Sequence, residues 1–186
     1  MEETRMDDKK IYKELQDWFP ELNCKKVPKE SQRRDFQNFK AWMVTEKNGR
    51  QARSYLMSLH PAQPLRHSLG HSAVLQDMRL DLEKAHLEME QAAQPTLQNY
   101  EQHKAEIGKN YSVQEQVAEI VLSEICALLR QCGCRMLLIY ADQYYWIAIP
   151  EHAEKVNKFC KKFEKQFKAD EVRIELFSVS DCLKST

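Results

Sequence analysis

The sequence predicts a helix-rich α+β fold, and three observations support this prediction. The chain has only four glycines and six prolines among 186 residues, which favours helix interiors over turn-dense sandwiches and barrels. In several segments apolar residues recur at steps of three and four, as on the buried face of a helix. Between residues 135 and 149, two β-branched and aromatic runs flank a short polar turn, which predicts a β-hairpin.

The N-terminal third is predicted to hold two helices and a hairpin. Helical spacing of apolar residues predicts a first helix that ends at Pro20. A second helix is expected over residues 29–40. The following Asn48-Gly49 pair is typical of a hairpin turn and also of a helix C-cap. We favour a β-hairpin near residues 41–58.

A loop or linker is expected at residues 60–71, because Pro61, Pro64 and Gly70 fall there and no apolar periodicity is present. Such a linker would separate an N-terminal helical and hairpin segment, residues 1–59, from a larger domain of residues 72–186. The alternative is one continuous domain over residues 1–186.

The segment after this loop carries a heptad-like apolar seam. A single helix is predicted from residue 72 to about residue 93, interrupted at Pro95 and followed by a shorter helix that ends near Gly108. The seam residues follow one another at alternating steps of three and four: Leu75, Met78, Leu82, Ala85, Met89 and Ala92.

The C-terminal part is predicted to form an α-β-β-α-β unit with a small mixed sheet. A capping box begins its first helix at Ser112, and Gly133 is suited to the C-cap of that helix. The expected elements are a helix at 113–131, strands at 135–140 and 144–149, a helix at 151–168 that Pro150 opens, and a strand from Val172 to Leu176.

Strand direction and layering follow from this order of elements. A right-handed crossover makes the last strand parallel to the second hairpin strand. The hairpin strands are apolar at nearly every position, which predicts a sheet covered on both faces. The apolar stripes further predict that six residues are buried together: Ile120, Leu128, Ile139, Trp146, Phe159 and Phe163.

Catalytic, metal and cofactor chemistry is not indicated by any motif. A Gly-x-Ser-x-Gly elbow, a P-loop, a His-Glu-x-x-His pair and a glycine-rich dinucleotide turn are all missing from the sequence. Cys132 and Cys134 are too close for a usual zinc knuckle, and His67 and His71 fall in the loop region. We therefore expect no metal site, no cofactor, reduced cysteines and a function without catalysis.

Two surfaces are candidate binding sites. The first is the seam, which either packs against the helix at 113–131 or binds a partner helix, including that of a second copy. Its proposed contact residues are Leu75, Met78, Leu82 and Met89. The second is a basic patch suited to phosphates, although solvated lysines are the plainer interpretation. Its residues are Lys155, Lys158, Lys161, Lys162 and Lys165 with Arg33 and Arg34.

The predicted function is binding of another macromolecule. Balanced charge, 28 basic against 28 acidic side chains, and the lack of catalytic motifs favour a protein-binding adaptor or an inhibitory, regulatory protein. The alternative is nucleic-acid binding through the helix at 151–168 and the basic segment at 25–34. No apolar run approaches the roughly 18 residues that span a membrane, and the first residues lack a secretory signal. A cytoplasmic location without membrane contact is expected.

Overall fold

The computed structural model describes residues 8–45, 52–66, 69–107 and 111–178, and it has the predicted helix-rich α+β fold. The α-helices are α1 Lys10–Trp18, α2 Phe36–Trp42, α3 Ala73–Asp77, α4 Leu82–His103, α5 Val113–Gln131 and α6 Val156–Gln166. The strands are β1 Val44–Thr45, β2 Arg53–Ser54, β3 Met57–Leu59, β4 Cys134–Tyr140, β5 Tyr144–Pro150 and β6 Arg173–Phe177. Among these helices, none is long and apolar enough to cross a membrane.

The main sheet has the strand order β3-β5-β4-β6, and every neighbouring pair is antiparallel. The predicted mixed sheet is therefore wrong in its pairing. β6 does run parallel to β5, as the crossover rule requires, but β4 lies between the two strands. Because β3 pairs with β5, the segment before residue 60 and the segment after residue 71 contribute to one sheet.

Both faces of the sheet are covered, as predicted, and each face has its own apolar core. Alternating residues of β4, such as Leu137 and Ile139, pack with α1, α2 and α6. The intervening residues, such as Met136 and Leu138, pack with α4 and α5. The protein thus has three layers, with the sheet between two groups of helices.

The predicted common core of six residues is wrong, because its members are divided between the two faces. Ile139, Phe159 and Phe163 are buried on the α6 side, whereas Trp146 is buried on the α5 side. Ile120 and Leu128 are only half-buried on α5. The expectation missed that α5 and α6 lie on opposite faces of the sheet.

The second helix begins later than predicted. α2 starts at Phe36 because the carboxylate of Asp35 accepts hydrogen bonds from the backbone N–H groups of Gln37 and Asn38. Residues 29–35 form a short 3₁₀ turn and a loop instead. β1 and β2 pair as an antiparallel ladder, so a short form of the predicted hairpin is present. Its expected turn at Asn48-Gly49 lies outside the described residues.

The predicted helix from 72 to 93 is also wrong. It is two helices, α3 and α4, separated at Arg79, whose φ is 54°. The side chain of Asp81 then accepts a hydrogen bond from the N–H of Lys84 and begins α4. Pro95 does not end α4 but lies inside it. The chain tolerates this because Pro95 and Gln91, whose carbonyl loses its partner, are both exposed to water.

The other C-terminal elements agree with the sequence, apart from the start of α6. Ser112 accepts a hydrogen bond from the N–H of Glu115 at the start of α5, and Gly133 has a φ of 67° after its end. α6 begins at Val156 rather than at residue 151, because the chain turns after Pro150 and Lys155 adopts a left-handed conformation. The final strand, β6, forms as predicted.

Substitution of Phe163 by Ala should lower the free energy of unfolding by about 3–5 kcal/mol. Phe163 is fully buried, and its ring centroid lies 5.2 Å from that of Phe39 and 4.8 Å from that of Phe167. The matched control is Leu87→Ala on α4, where the side chain is 51% exposed and should change stability by less than about 0.5 kcal/mol. Urea unfolding measures both, and equal effects would contradict the assigned core.

Candidate functional site

A cleft of about 400 Å³ opens at the end of the sheet where β4 begins and β5 ends. Its size falls in the range of ligand and side-chain pockets. Five parts of the chain meet there: the end of α1 with the segment that follows it, Tyr55 between β2 and β3, α3 with Met78 after it, the turn before β4, and the end of β5 with the residues that follow. Fourteen residues line it: Trp18, Phe19, Pro20, Glu21, Tyr55, Val74, Asp77, Met78, Cys132, Gly133, Cys134, Ala148, Pro150 and His152.

One wall of the cleft is aromatic and is held by packing. The ring centroid of Trp18 lies 4.7 Å from that of Phe159, and the centroids of Phe19 and Tyr55 are also 4.7 Å apart. Phe19 and Tyr55 are almost completely buried, and Trp18 is half-buried. The wall is therefore preformed, with the part of Trp18 that remains accessible facing an incoming group at little entropic cost.

A buried arginine, Arg53, connects the aromatic wall to α3 through hydrogen bonds. The guanidinium of Arg53 donates two hydrogen bonds to Asp77, at 3.0 and 2.8 Å, and one to Glu21 at 3.4 Å. The hydroxyl of Tyr55 donates to the other carboxylate oxygen of Glu21 at 2.7 Å. Arg53 also donates to the carbonyl of Ala73 at 3.3 Å. This network connects the segment after α1 to α3 and fixes the distance between the two sides of the cleft.

The network leaves the cleft with a small negative excess. The hydrogen bond to Asp77 raises the pKa of Arg53, which stays a cation. Burial, followed by the hydrogen bond to Glu21, raises the pKa of Tyr55, which stays neutral. The side chains of Glu21 and Asp77 are 41% and 60% exposed at the rim, whereas that of Arg53 is only 9% exposed. Two carboxylates therefore face solvent around one buried cation, which favours a positively charged group at the rim.

The opposite wall is formed by Cys132, Gly133 and Cys134, with His152 nearby. Burial raises the pKa of both thiols, so they remain protonated near neutral pH and are weak nucleophiles. Among the described residues, no group of three His, Cys, Asp or Glu side chains is arranged to hold a metal ion. The chemistry of this wall is therefore that of an apolar contact surface.

Met78 lies at the rim of the cleft and is 41% exposed, which is high for a large apolar side chain. It follows α3 at the point where the chain turns toward α4. An exposed, unbranched thioether beside an aromatic wall is typical of adaptable contact sites. Of the predicted seam contact residues, Met78 is the one that lines this cleft.

The remaining seam residues lie elsewhere. Leu75 and Met89 are buried in the core on the α5 side, and Leu82 is half-buried at the start of α4. Since α3 and α4 are separate helices, the four residues do not form a continuous stripe on one surface. α4 packs against α5, which is the intramolecular alternative considered from the sequence.

The predicted basic patch is interrupted by internal contacts. Lys162 forms an ion pair with Glu14 of α1. Arg34 pairs with Asp8 at 3.0 Å, and the guanidinium of Arg33 donates to the carbonyl of Pro28 at 2.8 Å. The remaining patch residues, Lys155, Lys158, Lys161 and Lys165, are exposed along α6.

Sequence reasoning missed most of the cleft. Arg53 and Asp77 carry charges that had no assigned partner, because they meet only after the chain has folded across a sheet edge. One signal was available: Arg53 precedes a segment that is mainly apolar through Leu59, where a buried cation requires a nearby carboxylate. That signal does not say which carboxylate it is.

Comparison of the chain with protein-family models, curated proteins and solved structures gives no significant match. The function must therefore be argued from the residues of the cleft and of the exposed surfaces.

Substitution of Asp77 by Asn should lower the free energy of unfolding by about 1 kcal/mol. The change removes a charge that is bound by two hydrogen bonds and leaves buried Arg53 with Glu21 as its remaining carboxylate partner. Asp17→Asn is the matched control, since Asp17 is exposed on α1 and should change stability by less than about 0.5 kcal/mol. Equal stabilities of the two variants in chemical denaturation would show that the ion pair of Arg53 with Asp77 does not stabilise the cleft.

Proposed function

We propose that the protein is a non-catalytic adaptor or inhibitor that binds a partner protein through the cleft. The observation that supports this most is the combination of a preformed aromatic wall, an exposed methionine and a carboxylate rim in one cavity. Such a site takes one anchoring side chain of a partner and excludes water around it. The anchor that fits is a large apolar side chain that has a lysine or arginine beside it.

The charges and the thiols of the cleft are consistent with this role. A cation of the partner would contact Glu21 and Asp77 at the rim, while the apolar anchor would lie between Trp18 and Met78. The five described cysteines are free thiols, as is usual in a reducing compartment, and we place the proposed binding in the cytoplasm for that reason.

Two other partners have less support. Nucleic-acid binding would use the lysines of α6, but Lys162 is paired with Glu14, and Arg33 and Arg34 are engaged in contacts of their own. The patch then depends on fewer free cations than the sequence suggested. A second copy bound through the seam would need Leu75 and Met89, and both are buried within the chain.

Substitution of Met78 by Asp should weaken partner binding, because it removes the apolar contact and places a charge that must lose its water against the partner's apolar anchor. Leu87→Asp is the matched control, since Leu87 is the other exposed large apolar residue among those described and lies on α4, outside the cleft. Affinity purification of wild type from its native host, followed by mass spectrometry, identifies the partner. Binding of that partner to both variants is then measured by calorimetry.

The proposal requires that Met78→Asp weakens the complex by at least about tenfold, equivalent to 1.4 kcal/mol, and that Leu87→Asp does not. Retention on DNA or heparin columns tests the nucleic-acid alternative. Tight retention that falls steeply with salt, together with a Met78→Asp variant that keeps its protein partner, would replace the cleft by the lysines of α6 as the functional site.

A further inference from the structure

We propose that the outer edge of β6 accepts an acidic, extended segment of a partner protein as an additional antiparallel or parallel strand. This surface is distinct from the cleft. The cleft lies where β4 begins, at Cys134, whereas the start of β6, Arg173, is paired with Tyr140 at the other end of β4.

Within the part of the chain that the structure describes, β6 is an edge strand, and its register shows which of its backbone groups face outward. In an antiparallel pair, residues alternate between facing the partner strand and facing away from it. β4 and β5 close their hairpin with a hydrogen bond from the N–H of Ala141 to the carbonyl of Gln143. Counting back along β4, Tyr140, Leu138 and Met136 face β6 and bond to Arg173, Glu175 and Phe177. Ile174 and Leu176 therefore direct their N–H and C=O groups to the outer edge.

One of these outward groups is already occupied by a side chain. The N–H of Ile174 donates a hydrogen bond to a carboxylate oxygen of Glu164 on α6, at 3.2 Å. This bond confirms that Ile174 turns its N–H away from β4. A side-chain carboxylate in that position stands where the carbonyl of an incoming strand would lie. Glu164 thus covers this edge, where Ile174 is only 5% exposed, and an incoming strand would have to displace its carboxylate.

A basic groove of about 510 Å³ runs beside this edge, between α6 and the start of β6. Its lysines are Lys161, Lys165 and Lys168, all exposed, and its carboxylates are Glu164 and Glu171. The backbone of Arg173 also borders the groove, but its guanidinium lies over the ring of Tyr140, on the α5 side of the sheet. The groove therefore has a small excess of positive charge. Alternate side chains of an added strand would project over this groove, so carboxylates at every second position complement it.

The same features argue against two other occupants. A second copy paired symmetrically about Glu175 of β6 would place the two Glu175 side chains opposite each other, where like charges are destabilising. A nucleic acid offers phosphates to the lysines, but phosphates cannot donate to the outward carbonyls of Ile174 and Leu176. A peptide backbone supplies both the donors and the acceptors that the edge requires.

The test uses an end-capped eight-residue peptide of alternating glutamate and threonine as the probe. Calorimetry should show that wild type binds it at least about tenfold more tightly than the glutamine and threonine analogue of the same length. In NMR spectra, the amide of Leu176 should become protected from hydrogen exchange when the acidic peptide is added. Failure of the acidic peptide to bind at about millimolar concentration would overturn the proposal.

Variants of α6 assign the binding to the groove. The double variant Lys161→Glu/Lys165→Glu should lower the affinity for the acidic peptide by about tenfold or more. The control Lys155→Glu/Lys158→Glu makes the same charge change at the start of α6 and directly before it, outside the groove lining, and should retain binding within about threefold. Equal losses in the two double variants would mean that net charge, and not the groove, attracts the peptide.

Two further probes separate strand addition from simple charge attraction. The acidic peptide with N-methyl groups at every backbone position keeps its charges but loses its donors along both edges, so its binding should fall sharply in either strand direction. Unchanged binding of this peptide would overturn strand addition. An eight-nucleotide oligothymidylate that binds more tightly than the acidic peptide would assign the groove to nucleic acid instead. Met78→Asp should leave peptide binding unchanged, so failure of this proposal and failure of the cleft proposal are distinguishable.

Discussion

The antiparallel pairing of β4 with β5 over seven residue pairs is the constraint on which the rest of the structure depends. Because side chains alternate along each strand, both faces of this hairpin are apolar and both must be covered. α5 covers one face, and α6 with α1 and α2 covers the other. No group of helices could cover both faces by itself, so the three-layer arrangement follows from the composition of the hairpin.

The cleft lies where this coverage ends. The paired strands of the hairpin end at Cys134 and Pro150, and the segment after α1 and the end of α3 lie beside this end of the sheet. Arg53 holds them at a fixed separation through Glu21 on one side and Asp77 on the other. A cation that is almost completely buried at a sheet end costs desolvation energy, which two carboxylates and a backbone carbonyl offset here. The cavity, which Glu21 and Asp77 both line, is therefore a consequence of how Arg53 joins the segment after α1 to α3.

Local sequence signals predicted most helices and strands. The pairing of β3 and β6, the division of the core and the cleft depend on contacts between residues that are distant in the sequence, so they were not predicted. The capping box at Ser112, the apolar hairpin runs and the phenylalanine stripe of α6 are properties of neighbouring residues, and those elements formed as expected. The heptad-like seam led to the wrong prediction of one helix, because its apolar periodicity continues across the break between α3 and α4. Separate N-caps at Ser72 and Asp81 begin these two helices. The division of Trp146 and Ile139 between two cores could have been read from their strand parity, since paired strands alternate in register. Of the residues that line the cleft, only Met78 had been proposed as a contact residue, because the others are brought together from distant parts of the chain.

A formal net charge of zero conceals a sorting of charge along the sheet. The rim of the cleft exposes Glu21 and Asp77, whereas the groove beside β6 exposes three lysines against two carboxylates. At physiological salt, charges further apart than roughly 8 Å are largely screened, so the two surfaces act on their surroundings separately. A cationic partner segment that binds at the rim of the cleft would be repelled by the groove beside β6, and an acidic segment would be repelled by the rim. If both proposed surfaces bind as inferred, their opposite preferences at opposite ends of the sheet would suit an adaptor that holds two different segments at the same time. For an inhibitor that acts through a single contact, one of them would suffice.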